Sequence, residues 1–132
     1  GGAGLNHRND LDVLTCRLIE HQGIPPESAR WLVDTYGNRS ELVVNCCREH
    51  DQGMEVLGPS GVLAGAVIFS ICHEQALTLD DILRRRLSIY FRDPGQGQGI
   101  AEAVAKMAAG PLGWSTEETA RQVKGYLELC FR

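Results

Sequence analysis

The sequence predicts an all-α fold, a compact bundle of six to seven short helices, and three observations carry that prediction. Apolar residues recur at spacings of three and four through most of the chain. Helix start signals and Gly/Pro stops punctuate those runs at short intervals. The one segment that could pass for a buried strand, around Val67, has no partner of comparable strength, and a lone strand is not stable. Composition agrees: aromatics are only 6% of the chain, and Leu, Ala, Val and Ile dominate its 43% hydrophobic content.

The spacing of Leu11, Leu14 and Leu18 predicts a first amphipathic helix over 10–22, stopped by Gly23. Pro25-Pro26-Glu27 opens a second, on which Ala29, Leu32, Val33 and Tyr36 fall at i, i+3, i+4 and i+7, with Gly37 as its left-handed end. Asn38, with Glu41 three residues later, predicts a capped third helix that closes at Asp51-Gln52-Gly53. On it Val43, Cys46, Cys47 and His50 share an apolar stripe. Gly58-Pro59-Ser60-Gly61 makes 54–61 a loop, and 62–75 then reads as a central helix apolar nearly all round. A further helix over 79–90, a flexible turn over 93–99 and an Ala-rich helix over 100–109, ended by Gly110-Pro111, come next. Ser115 and Glu118 form a capping box for the last helix, on which Ala120, Val123, Leu127 and Cys130 form a stripe. Trp31 and Trp114 lie beside such stripes, as core or interface packing requires.

A chain of 132 residues forms one domain able to build its own core. Its formal net charge of −4 argues against a nucleic-acid partner, because phosphate binding draws on clustered cations. The longest apolar run, 62–72, is shorter than the roughly 20 residues that cross a bilayer. Gly1-Gly2-Ala3-Gly4 runs into polar Asn6, His7 and Arg8, unlike a signal peptide, so a soluble, cytoplasmic location is expected. Without an initiating Met the chain reads as a piece of a longer protein. Five cysteines without a C-x-x-C pair read as reduced thiols. Zinc could be assembled only from Cys46, His50, Cys72 and His73, which lack paired short spacings, so no metal site is expected. The glycines at 95, 97 and 99 fail the dinucleotide fingerprint in either frame, since Ile100 and Glu102 stand where Gly or Ala is needed. No nucleophile elbow, P-loop or metal-binding helix motif is present, and neither catalytic nor cofactor-binding residues are expected in this chain.

The segment from Glu74 to Arg86 is the most specific feature. Thr78 and Asp81 read as a capping pair, with Asp80 and Asp81 in the positive first turn of a helix and Arg84, Arg85 and Arg86 after them. Asp81 and Arg85 stand one turn apart, acid first. Glu74 at the end of the central helix is expected to pair with Arg85 or Arg86 and fix the angle between two helices, since a buried carboxylate needs a partner. The competing reading has one arginine facing outward to dock another domain. Arg84 is expected to be a solvated surface residue.

Glu74, Ala76, Thr78, Asp81, Arg85 and Arg86 together fit a pattern Glu-x-Ala-x-Thr-x-x-Asp-x-x-x-Arg-Arg, with Tyr36-Gly37 before it and Asp93, Leu112-Gly113-Trp114 and Tyr126 after it. In this the chain resembles the C-terminal helical domain of FAD-dependent glycerol-3-phosphate dehydrogenases, from about residue 11 to 127. It departs from that pattern at Leu87-Ser88-Ile89 and at Ala66. The resemblance implies a C-terminal cap domain over 10–132, with 1–9 a linker from an N-terminal FAD domain. It implies that the parent oxidises sn-glycerol 3-phosphate to dihydroxyacetone phosphate and passes electrons to a quinone, with peripheral membrane association of the parent and oligomer contacts. On that reading FAD belongs to the parent, the chain alone is inactive, and Glu74, Thr78, Asp81, Arg85 and Arg86 form a structural or domain-docking motif. The rivals are a free-standing helical interaction module and, against the net charge, a nucleic-acid binder using Arg84 to Arg86.

Overall fold

In the computed structural model the described residues are 8–130 for the backbone and 12–130 for the side chains; most of the expected linker over 1–9, and Leu11 of the first stripe, fall outside them. Seven α-helices follow one another among these residues: α1 (Arg8–Gln22), α2 (Pro26–Tyr36), α3 (Ser40–Arg48), α4 (Gly65–Glu74), α5 (Ile89–Arg92), α6 (Ala101–Leu112) and α7 (Thr116–Leu129). A π-helical segment, Asp81–Arg86, lies between α4 and α5. No strand occurs among the described residues, and one isolated antiparallel bridge, Val56 to Leu63, closes the loop before α4. The chain is all-α, as its periodicity predicts.

Helix α4 is the centre. All of Gly65 to Ser70 is buried, and the helix packs against α3 on one side and α6 on the other. Its approach to α3 is set by Gly65, where an added Cβ would stand 2.5 Å from Cys47 Cα. Leu18, Leu32, Val43, Val67, Phe69 and Val104 are each fully enclosed in one continuous core. Trp31, Tyr36 and Phe69 form a chain of edge-to-face rings through it, with centroids 5.6 and 5.5 Å apart. Such pairs contribute about 0.5–1.5 kcal/mol each beyond their burial.

Several local expectations are corrected. Asn38 does not cap α3: a 3-10 turn at Gly37–Arg39 leads into it, and Ser40 Oγ donates instead to Leu32 O at 3.0 Å and Gly37 O at 2.7 Å. Gly37 does carry a positive φ, +55° with ψ −126°, a region essentially reserved for glycine. On α3 the buried face is Val43, Val44 and Cys47, while Cys46 is half-buried and His50 exposed, so the sequence stripe is rotated. Helix α6 runs through Gly110 and Pro111 to Leu112. It ends on Gly113 (φ +70°) in a Schellman closure, Trp114 N–H to Ala109 O at 2.9 Å and Gly113 N–H to Gly110 O at 3.2 Å. A proline is tolerated there because Gly110, having no Cβ, lessens the clash that normally bars helical backbone before proline.

Candidate functional site

The motif segment begins where α4 stops. Gln75 takes a left-handed conformation (φ +58°), and Ala76 N–H closes on Ser70 O at 3.0 Å, turning the chain away from the helix axis. Thr78 and Asp81 then form a reciprocal cap: Asp81 N–H donates to Thr78 Oγ1 at 3.0 Å, and Leu77 N–H donates to Asp81 Oδ2 at 3.2 Å. Leu79 N–H is taken by Gln122 Oε1 at 3.1 Å, which ties the corner to α7. The helix so started is π-helical, with Leu87 N–H bonded five residues back to Ile82 O at 2.9 Å. It breaks at Ser88 (φ +57°) instead of running on to residue 90.

This geometry redistributes the arginines. Arg84, expected in solvent, is the most firmly held of the three: its Nη2 donates to Asp80 Oδ2 at 2.8 Å and its Nε lies 2.8 Å from Asp80 Oδ1. That hydrogen bond and the Asp80 charge push the Arg84 pKa up. Arg85 pairs with Asp81 at 3.3 Å but remains 66% exposed, so the pair contributes at most a few tenths of a kcal/mol, about 0.3–0.5. Arg86 is exposed and has no carboxylate within ion-pair reach among the described residues. The expected Glu74 pairing with Arg85 or Arg86 is not made. Glu74 Oε1 is buried without a hydrogen-bond partner, because the left-handed turn and the widened π turn carry the arginines past it.

Beside Glu74 lies a second orphan. The Tyr36 hydroxyl is buried and unpartnered, and its pKa is driven well above the usual tyrosine value, first by burial and then by the Glu74 charge; the Arg39 and Arg86 charges act in the opposite direction. Arg39 lies over the Phe69 ring, 5.5 Å from its centroid, and His73 stacks on the same ring at 4.8 Å. Sequence reasoning missed Arg39 because nothing in its spacing marks it. The Tyr36-Gly37 step was the available signal, placing a large ring directly before a forced turn.

The glycine loop expected to be flexible is tied down. Asp93 is buried and accepts from Gly95 N–H at 3.1 Å and Gly97 N–H at 2.9 Å, and the Tyr126 hydroxyl donates to Gln96 O. The amides a dinucleotide pyrophosphate would need are thus committed to a carboxylate, and no strand leads into the loop. These residues do not fit a flavin dinucleotide.

On α7 the buried residue is Tyr126, with Cys130 buried just past its end, whereas Ala120 and Leu127 are exposed. Ala120 and Leu127, with Trp114, Val123 and Ala109, line a largely apolar groove of about 790 Å³ between α6 and α7. Cys47 is enclosed and its thiol pKa is pushed up to about 12, chiefly by burial. All five cysteines are free, and among the described residues no three His, Cys, Asp or Glu side chains converge on a metal-sized point. No described helix is long and apolar enough to cross a membrane.

The family model for the C-terminal domain of alpha-glycerophosphate oxidase matches residues 1–119, which include the whole motif, Tyr36 and Asp93. Similar curated proteins are a glycerol-3-phosphate dehydrogenase of Mycobacterium leprae, 32% identical over 116 residues (82% of this chain, 19% of that protein), and glycerol-3-phosphate dehydrogenase 2 of Mycobacterium tuberculosis, 31% identical over 107 residues (80% and 18%). A probable mitochondrial glycerol-3-phosphate dehydrogenase of Caenorhabditis elegans is 24% identical over 125 residues (92% and 17%). The chain thus spans under a fifth of the length of these relatives. No solved structure matches. With nine-tenths of the chain covered by one family description, it belongs to the family of the C-terminal domain of alpha-glycerophosphate oxidase.

Proposed function

We propose that this chain is the accessory C-terminal helical domain of an FAD-dependent glycerol-3-phosphate dehydrogenase. The parent would oxidise sn-glycerol 3-phosphate to dihydroxyacetone phosphate, with FAD, held by the domain that precedes this chain, supplying the hydride acceptor and a quinone taking up the electrons. The observation that carries the reading is coverage: a family described as a C-terminal domain matches 1–119, and the relatives named as dehydrogenases are matched over 18–19% of their length. The role assigned to this chain is to buttress the flavin domain that precedes it, with the Thr78/Asp81 cap, the Asp80–Arg84 pair and the Gln122 contact holding the corner after α4 in a fixed shape. FAD and the reacting groups belong to the other domain, the parent working in the cytoplasm or peripherally on a membrane face.

Titration of the chain with FAD, followed by flavin fluorescence, tests the division of labour. No binding and no turnover are expected from the chain alone, and stoichiometric binding would overturn it. The longer protein that carries the chain is expected to reduce a quinone analogue in the presence of sn-glycerol 3-phosphate. Its failure to do so with flavin bound would remove the assigned activity.

A further inference from the structure

Nine arginine side chains are described, and seven of them have a carboxylate, side-chain amide or backbone carbonyl as partner: Glu41 for Arg17, Asp12 for Arg30, Gln22 for Arg48, Asp80 and Asp81 for Arg84 and Arg85, Ser60 O for Arg92, Glu118 for Arg121. Arg39 and Arg86 alone have none among the described residues. They come from separate segments, the 3-10 turn before α3 and the π segment before α5, yet the charges of both bear on the ionisation of the same buried phenol, Tyr36. Two buried oxygens without a hydrogen-bond partner, Tyr36 Oη and Glu74 Oε1, share this neighbourhood, the Glu74 charge also bearing on the phenol. Phe69, with Arg39 and His73 against its ring, forms the adjoining wall.

Each of these features has an energetic cost in the chain as it stands. A buried polar atom without a partner loses its hydration with nothing in return, and native structures rarely leave two together without a group that completes them. The two guanidinium groups call for an acceptor, best a planar carboxylate. Glu74 Oε1 calls for a donor, and the tyrosine hydroxyl can serve either way. We propose that this cluster is the docking site for an acidic loop of the parent's flavin domain: an Asp or Glu side chain of the loop bridges Arg39 and Arg86, and a neighbouring backbone N–H of the same loop donates to Glu74 Oε1. The inference rests on the reading of the chain as a flavin-domain accessory and names the surface that meets that domain. Charge favours this occupant, since two unneutralised guanidinium groups flank one carboxylate on a chain whose net charge is −4.

The test uses the full-length protein with its flavin bound, compared as wild type, R39E/R86E and, as control, R85E, whose guanidinium already faces Asp81. Hydrogen exchange is followed by mass spectrometry. The double reversal is expected to speed exchange by about tenfold or more in one acidic segment of the flavin domain and around residues 36–39 and 73–77, with α3 and α6 unchanged. R85E is expected to quicken exchange locally at 77–82, where Asp81 caps Leu77, but to leave the flavin-domain segment as in wild type, and the milder R39Q/R86Q should shift the segments of the double reversal by less. If the flavin is bound and no flavin-domain segment responds, the docking site is wrong while the function stands, and the buried oxygens are served by water. If R39E/R86E changes the mass of the assembly in place of interdomain exchange, the surface meets a second copy and the proposal is likewise overturned. A full-length protein that carries no flavin domain overturns both readings together.

Discussion

At the scale of single residues, two positions show how little room the fold leaves. Gly65 lies where α4 crosses α3, and a methyl group there would meet Cys47 Cα at 2.5 Å and its Cβ and Sγ at 2.8 Å. Cα belongs to the backbone of α3 and Cβ is fixed to it, so neither can swing aside as the end of a flexible side chain would. Gly65→Ala is therefore expected to destabilise the chain by about 3 kcal/mol, the upper part of the range for overpacking, read as a lowered urea midpoint. Tyr36 makes the opposite case. Its ring packs edge-on against Trp31 and Phe69, but its hydroxyl is buried with no partner. Tyr36→Phe keeps the rings and removes the unsatisfied group, so thermal denaturation of this chain should show unchanged or slightly raised stability, by about 1 kcal/mol. A loss of that size would mean that the hydroxyl has a partner in solution. In the full-length protein the same substitution should instead loosen the interdomain contact.

The scale of elements is where the corner after α4 is decided. Thr78 begins the π segment by accepting from Asp81 N–H, and Asp81 answers at Leu77 N–H while also facing Arg85. Thr78→Ala is expected to cost about 1 kcal/mol with an unchanged denaturant slope, and to speed amide exchange at 77–82 before anywhere else. The π turn itself has a packing reason. In an α-helix Arg86 would lie over Ile82, four residues back; the wider turn pairs Ile82 with Leu87, both fully buried, and leaves Arg86 outside. Local caps such as Thr78/Asp81 and Ser115/Glu118 were legible in the sequence because each depends on residues three apart. The α2 face of Ala29, Leu32, Val33 and Tyr36 was legible for the same reason of period. What was not legible depends on contacts between distant segments. Glu74 loses its arginine because of two backbone turns that no spacing rule encodes, and the α7 stripe is displaced because Tyr126 is drawn inward to hold Gln96 of the glycine loop. Pro111 looked like a stop, but a proline in the last turn of a helix that already ends in a Schellman closure costs little.

For the whole molecule, the phenols and thiols that titrate abnormally point one way. Burial raises the pKa of Tyr36, Tyr126, Cys47, Cys46 and Cys130, in each case as the first cause, so the folded state holds these protons more tightly than the unfolded chain. Groups with a raised folded pKa leave stability intact below their unfolded values and remove it as pH rises toward the folded ones. For Cys47 that window opens near 9 and closes near 12, and the tyrosines extend it on the alkaline side from about 10. The chain, already at −4 near neutrality, also gains negative charge over this range, which works in the same direction. Stability measured by urea denaturation in the presence of reductant should therefore be flat from about pH 7 to 8.5. Above that it should fall, each fully buried group adding up to about 1.4 kcal/mol per pH unit to the slope. Cys47→Ala lowers stability at every pH by leaving a small cavity beside Gly65, yet it should flatten the first part of the decline, from about pH 9, where the thiols begin to titrate before the phenols. An unaltered slope in that variant would place the responsible proton on another group, with Cys46 and Cys130, raised by burial as well, the next to replace.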